Sequence, residues 1–211
     1  RNKNIKVDYT GIDLVEGFLE TAKKKSEKNK FICGNILNKK FFTYLDKNAD
    51  NILKLKKPFL EKAIFQSCLI KKKIIEKDEN EKNIRQILNF GHTFAHAFEA
   101  TNNYSKRLNH GEAVLLGIIC AVNFAHQNHN IKKADYKKII NHYKKINLPM
   151  KIKNFFSKKN INKILSFMRK DKKNSNSKIN LVLLKKIGNV NYNCQFNDTA
   201  IYRFFCKELI N

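Results

Sequence analysis

The stretch Gly111–Gln127, GEAVLLGIICAVNFAHQ, is apolar on almost every side. A helix there has no polar face to turn toward water, so it has to sit in the middle of a domain with other elements packed around it. Its longest apolar run, Ala113–Ala125, is too short to span a bilayer and is interrupted by Gly117 and Asn123. The chain holds only two prolines and seven glycines in 211 residues, so the surrounding helices can run long between few breaks.

The flanking segments supply those helices. Pro58 suits a first helical turn, and Phe59, Ala63, Ser67, Ile70 and Ile74 follow at helical spacing, beside a lysine-rich face. That helix should end in the charged run Glu76–Asn83, EKDENEKN. A second helix is expected over Ile84–Thr101, with Gly91 inviting a kink or the close approach of another group. Tyr136, Ile139, Ile140, Tyr143 and Ile146 mark an amphipathic helix that stops before Pro149. Asn160–Lys170 should be another helix, followed by a polar KKNSNS loop. Lys178–Leu184, a KKIGN turn and Val190–Asn193 read as a hairpin, and Asn197 or Asp198 can cap a last helix through Leu209. The expected fold is mainly α, with one small β-hairpin and no internal repeat.

The net charge of +25 would suit a nucleic-acid partner. The lysines are spread along the whole chain, however, among Asn and Ile, without an arginine-rich arm, zinc-finger spacing or aromatic RNA-binding signature. A basic nucleic-acid binder therefore rests on charge alone, and only base-sequence preference would support it. The same charge can draw in an anionic small molecule. Cys33, Cys68, Cys120, Cys194 and Cys206 are odd in number and widely spaced, which argues against a disulfide framework or a structural zinc site and fits a reducing compartment.

Chemistry concentrates in Leu88–Glu112, LNFGHTFAHAFEATNNYSKRLNHGE. His92 and His96 are four apart, so a helix projects them from one face, and His110 follows after a loop-like NNYSKR segment. Three imidazoles with a nearby carboxylate can hold a divalent metal or an anionic substrate. Taken singly, each histidine would read as a cap or a packing residue.

NFGHTFAHAFEA followed by LNHGEAVLLGI closely resembles the signature of the 3-dehydroquinate synthase family. The resemblance runs from about Lys39, through KKFFTYLDKN, Pro58–Arg85, the histidine block, MRKDKK and KINLVLLKKIG, to the C-terminus. It implies that residues 39–211 form the helical C-terminal domain of that family. The activity it implies is a lyase of the shikimate pathway, which leads through chorismate to the aromatic amino acids. Such an enzyme closes 3-deoxy-D-arabino-heptulosonate 7-phosphate, a phosphorylated seven-carbon sugar acid, into a carbocycle. Oxidation by NAD acidifies a neighbouring carbon so that phosphate can leave; reduction, ring opening and aldol closure follow. The chain has room for the metal and anion contacts but not for an NAD domain, so alone it is expected to be inactive.

By residue, the resemblance makes His92 and His110 ligands of zinc or cobalt, alongside a glutamate. It places Lys71 and Arg85 on the substrate carboxylate and nearby hydroxyls, Asn89 and His96 around the phosphate, and Lys172 or Lys173 on the phosphate as well. Glu99 and Glu112 become groups that orient imidazoles. Without the resemblance, Lys71 would read as part of a solvated helix face, since Lys72 and Lys73 follow it directly. A homodimer and a cytoplasmic location, with neither membrane nor nucleic acid as partner, complete the expectation.

Residues 1–38 read differently. VDYTGIDLVEGFLETAKKK and NKFICGNIL suggest strand, helix, strand, and resemble part of an S-adenosylmethionine-dependent methyltransferase, with Asp13 at the ribose position and Asn35 near the adenine. The glycine-rich loop such a cofactor site needs does not precede them in this sequence. The synthase family has a Glu-Val-Ile-Lys-like segment in this region. Glu27 and Lys30 fall in register with it, as third metal ligand and substrate lysine, when two residues are inserted before Phe41. The competing functional reading is a methyltransferase fragment fused to a non-catalytic helical domain.

Overall fold

A computed structural model describes residues 36–105, 107–170 and 178–210. The elements run α1 (Lys39–Lys47), α2 (Ala49–Leu53), α3 (Lys57–Lys77), a 3₁₀ helix (Ile84–Asn89), α4 (His92–Thr101), α5 (His110–Gln127) and α6 (Lys133–Lys145). Two short 3₁₀ turns, Ile152–Asn154 and Lys158–Asn160, lead to α7 (Ile161–Lys170), β1 (Ile179–Lys186), β2 (Asn189–Phe196) and α8 (Asp198–Ile210). The strand–helix–strand expected over 1–38 lies outside the described residues, apart from 36–38.

α5 is the buried centre its sequence requires. From Ala113 to Val122 every residue is buried, as are Phe124 and Ala125. Its start is fixed by a capping box: the Asn109 side chain accepts from the Glu112 N–H at 3.0 Å, and the Glu112 carboxylate accepts from the Asn109 N–H at 3.2 Å. Against this helix lies a set of phenylalanines. Phe94 packs on Phe98, Phe204 and Phe205, while Phe124 meets Phe196 edge-on at 4.7 Å between ring centroids. Each such ring taken fully out of water contributes about 2–3 kcal/mol. On β1, Ile179, Leu181, Leu183 and Leu184 are buried, giving the hairpin one apolar face toward the core.

α4 and α5 approach at their backbones. Gly91 caps α4 in the left-handed region, at φ +82°, and a Cβ on it would meet the Ile118 backbone N at 2.6 Å. A Cβ on Gly117 would collide with the Gly91 carbonyl oxygen. The segment expected as one kinked helix, Ile84–Thr101, is therefore two helices: a 3₁₀ helix up to Asn89 and an α-helix from His92, parted at Gly91. The hairpin also differs from expectation. Lys186 pairs with Asn189, so the turn is only Ile187–Gly188, with Gly188 at φ +88°, and β2 extends to Phe196. At the last helix, Asn197 provides the cap, its side chain accepting from the Ala200 N–H at 2.9 Å, while Asp198 pairs with Arg169.

A satellite core of Phe41, Leu45, Ile52, Leu60 and Ala63 holds α1, α2 and α3 together. It joins the main body partly through Asp46, which accepts from His142 Nδ1 at 2.8 Å, and through Phe42, whose ring centroid is 5.3 Å from that of His142.

Gly117→Ala should lower the unfolding free energy by about 1–3 kcal/mol, because a methyl would be driven into a backbone that cannot rotate away. Urea denaturation monitored by circular dichroism measures this; an unchanged midpoint would mean that α4 and α5 can part without cost.

Candidate functional site

Gly91 ends the 3₁₀ helix and starts α4, so His92 is the first residue of α4, His96 stands one turn on, and Glu99 follows on the same side. The capping box begins α5 at His110. The antiparallel pairing of α4 with α5 then brings the imidazoles together. The ring of His92 lies 5.6 Å from that of His96 and 6.3 Å from that of His110, between centroids, steeply inclined to both.

His92 and His110 are held at the same nitrogen. His92 Nδ1 lies 3.3 Å from the Phe90 carbonyl oxygen, and His110 Nδ1 lies 3.0 Å from Glu99 Oε1. A carbonyl and a carboxylate accept, so Nδ1 is the nitrogen that donates in each of these two contacts. Burial pushes the pKa of His92 below the ordinary imidazole range; the Phe90 carbonyl opposes this, and the neighbouring His96 and His110 reinforce it. A neutral imidazole with a bare Nε2 is the form that binds a metal. His92 and His110 thus fit zinc or cobalt as two ligands. Among the described residues, no three His, Cys, Asp or Glu side chains converge on one point.

Beside the histidines is a small cleft of about 50 Å³, lined by Gln86, Asn89, His92, Thr93, His96, Asn180 and Val182. Thr93 Oγ1 donates to the Asn180 carbonyl at 3.3 Å, fastening β1 to α4 as one wall. Asn89 donates to Glu81 Oε1 at 2.6 Å. The loop before the 3₁₀ helix is wound around Asp78, whose carboxylate accepts from the backbone N–H groups of Lys82, Asn83 and Arg85. Those bonds, the Arg85 N–H foremost, hold Asp78 below the usual carboxylate range.

Of the residues expected from the sequence, the structure gathers His92, His96 and His110, with Asn89 and His96 in the cleft wall. Arg85 and Lys71 do not line it. The Arg85 guanidinium donates to the Glu79 carbonyl at 2.6 Å, and Lys71 is exposed on α3. Glu27, Lys30, Asp13, Asn35, Lys172 and Lys173 lie outside the described residues. Gln86, Thr93, Asn180 and Val182 are cleft residues that sequence reasoning misses. Gln86 and Asn89, three apart, align on the 3₁₀ helix and both line the cleft, but that geometry shows only in the structure. Asn180 has no local signal, because it arrives from a hairpin far along the chain.

A roomier groove of about 430 Å³ lies between α1, α6 and the hairpin turn, lined among others by Lys39, Asp46, Lys138 and Lys145. Its lysines are solvent-exposed, and Lys145 is already engaged with the Asp46 carbonyl at 2.6 Å. None of the residues expected to carry chemistry lines it, so size does not outweigh the histidine cluster. No helix among the described residues is long and apolar enough to cross a membrane.

The family model for the 3-dehydroquinate synthase C-terminal domain matches residues 30–174. The 3-dehydroquinate synthase of Pelagibacter ubique is 54% identical over 190 residues, covering 86% of this chain and 52% of its own length. That of Endomicrobium trichonymphae is 38% identical over 194 residues, covering 88% and 52%. The chain thus spans about half the length of these curated relatives. Among solved structures, a 2-epi-5-epi-valiolone synthase from Streptomyces hygroscopicus with NAD+ and Zn2+ bound superposes with a TM-score of 0.70 at 14% identity, covering 84% of this chain and 48% of that one. A 2-deoxy-scyllo-inosose synthase complexed with carbaglucose-6-phosphate, NAD+ and Co2+ gives 0.59 at 23% identity, covering 71% and 42%. At those identities, the two structures speak for the fold.

The lowered pKa of His92 has a consequence for stability. The folded state takes up the His92 proton at lower pH than the unfolded chain does. The unfolded chain therefore binds more protons just below about pH 6.5, and stability falls as pH drops through that window toward the folded-state value. Urea midpoints measured from pH 7.5 to pH 5 should decline less steeply in His92→Gln than in the wild type; parallel slopes would show that His92 titrates as it does in the unfolded chain.

Proposed function

The chain belongs to the 3-dehydroquinate synthase family, and on that premise we propose that it forms the metal- and substrate-anion-binding part of a 3-dehydroquinate synthase. The reaction is closure of 3-deoxy-D-arabino-heptulosonate 7-phosphate to 3-dehydroquinate with loss of phosphate. The observation that carries this reading is the grouping of His92, His96 and His110 across α4 and α5, with His92 and His110 each engaged through Nδ1.

His92 and His110 would hold zinc or cobalt, with Glu27 as third ligand; such an ion acidifies a substrate hydroxyl bound to it. Asn89 and His96, in the cleft wall, bind the phosphate. Arg85 offers a planar fork for the carboxylate once its guanidinium leaves the Glu79 carbonyl, and Lys71 supports it. Lys172 and Lys173 are assigned to the phosphate on the family resemblance of the MRKDKK segment.

The only sheet among the described residues is a two-stranded hairpin. That is not the open sheet and helix N-terminus that receive a dinucleotide, so no described residue is assigned to NAD. In the proposed reaction NAD+ would be the oxidant and its reduced form the reductant, in keeping with the NAD+ held by both neighbouring solved structures. A cytoplasmic homodimer acting in the shikimate pathway, ahead of chorismate, goes with this reading. The net charge of +25 suits an anionic substrate.

Calorimetric titration with Co2+ tests the metal: the wild type should bind, and His92→Ala should weaken binding at least tenfold. Equal affinity in the two would overturn the assignment. For the anion, Arg85→Ala should weaken binding of the phosphorylated sugar acid roughly 10- to 100-fold, the worth of a charge-assisted pair. Lys72→Ala should leave it unchanged, since Lys72 is exposed and, among the described residues, pairs with Glu76 at 3.6 Å. Equal losses in the two variants would count against a built carboxylate site.

A further inference from the structure

The cleft beside the histidines is built from three elements: Gln86 and Asn89 on the 3₁₀ helix, His92 and His96 on α4, and Asn180 and Val182 on β1. Among the described residues, no lysine or arginine lines it, so an anion there relies on amide and imidazole donors. Its volume of about 50 Å³ is room for a few water-sized groups, which suits one phosphoryl head and not a whole sugar acid. Such a head presents three acceptor oxygens. Thr93, also in the wall, cannot serve them, because its single hydroxyl hydrogen goes to the Asn180 carbonyl. Asn89 and His96 come from one stretch of chain. The hairpin side has one polar side chain to add, that of Asn180, since Val182 is apolar.

Strand periodicity puts Asn180 there. Ile179, Leu181 and Leu183 are buried in the core, so Asn180 and Val182 occupy the other face of β1. Opposite them the ladder slips: Leu181 pairs with Cys194 and Leu183 with Asn191, so that Tyr192 and Asn193 together face Val182. Asn193 absorbs the extra residue at φ +60°, a left-handed conformation that asparagine tolerates better than most residues. The Asn193 Oδ1 then accepts from Asn180 Nδ2 at 3.0 Å. Asn180 is thereby held at two points, by Thr93 at its carbonyl and by Asn193 at its amide. A cross-strand amide pair is an ordinary way to steady a hairpin. Here it steadies the one polar side chain that the hairpin brings to the cleft.

We propose that Asn180 is a specificity-determining residue for the phosphate of the substrate and that Asn193 positions it; this rests on the anion-binding reading above. The Asn180 amide donates to the phosphoryl oxygens from the hairpin side, facing a group that Asn89 and His96 hold from the other. Its contact with Asn193 fixes the plane of the amide before the ligand arrives. A cleft lined in this way separates a phosphoryl head from a plain hydroxyl, which would leave part of its donors unmatched.

The test titrates the full chain by calorimetry with two ligands, 3-deoxy-D-arabino-heptulosonate 7-phosphate and the same sugar acid without its phosphate. Asn180→Leu keeps the size of the side chain and removes the amide. It should weaken binding of the phosphorylated ligand roughly 10- to 100-fold, as for a lost hydrogen bond to a charged group, and of the other less than twofold. Asn180→Asp, which sets a negative charge against the phosphate, should do so at least as strongly. Asn193→Gly keeps the left-handed bulge, where glycine is at ease, and removes the brace; its loss should be smaller and confined to the phosphorylated ligand. Circular dichroism confirms that each variant is folded. Equal losses for the two ligands would show a role in the hairpin's structure alone and overturn the proposal. So would binding of the phosphorylated ligand within twofold of wild type in Asn180→Leu and Asn180→Asp. If Arg85→Ala weakens binding while these variants do not, the anion-binding reading stands and the assignment of Asn180 falls. A wild type that binds neither ligand sinks both.

Discussion

Everything at the histidine cluster depends on two backbones touching. Where Gly91 and Gly117 meet, α4 lies closer to α5 than any side chain would permit. That contact sets the distance between the helices along their length, and so the distance between His92 and His96 on one and His110 on the other. Gly91 has a second task at the same spot. By entering the left-handed region it stops the 3₁₀ helix and restarts the chain as α-helix, which turns His92 toward the other two rings. A larger residue at either glycine would force the two backbones apart and shift the rings of His92 and His96 relative to that of His110.

The sequence makes the centre of the fold legible for a simple reason: a helix with no polar face, Gly111–Gln127, has only one place to go. The start of α5 is equally readable, since Asn109 followed three residues later by Glu112 is a capping-box pattern. What escapes sequence reasoning is what depends on distance in space. The continuous helix expected over Ile84–Thr101 fails because apolar spacing does not separate three residues per turn from 3.6 over so short a run. The contact between Glu99 and His110 spans a loop and appears only once α4 and α5 are antiparallel. Asn180 and Val182 reach the cleft from the hairpin, beyond any local signal.

Family resemblance and geometry also inform different things here. Resemblance assigns Arg85 to an anion, yet the structure turns its guanidinium onto the Glu79 carbonyl and winds its own N–H into the loop around Asp78. Geometry, for its part, shows His92 and His110 each engaged through Nδ1. Neither source would supply that pair of statements alone.

The two hydrophobic cores carry a thermodynamic implication. Lys71 is on α3, which is anchored in the satellite core, whereas His92, His96 and His110 are mounted on helices of the main one. A body with two cores, tied partly by the His142–Asp46 contact, can open at the seam between them at less than the cost of global unfolding. A ligand that touches groups on both sides of that seam binds only the closed form. Its binding energy therefore acts as a clasp, and the protection of α1–α3 amides against hydrogen exchange becomes a function of ligand concentration.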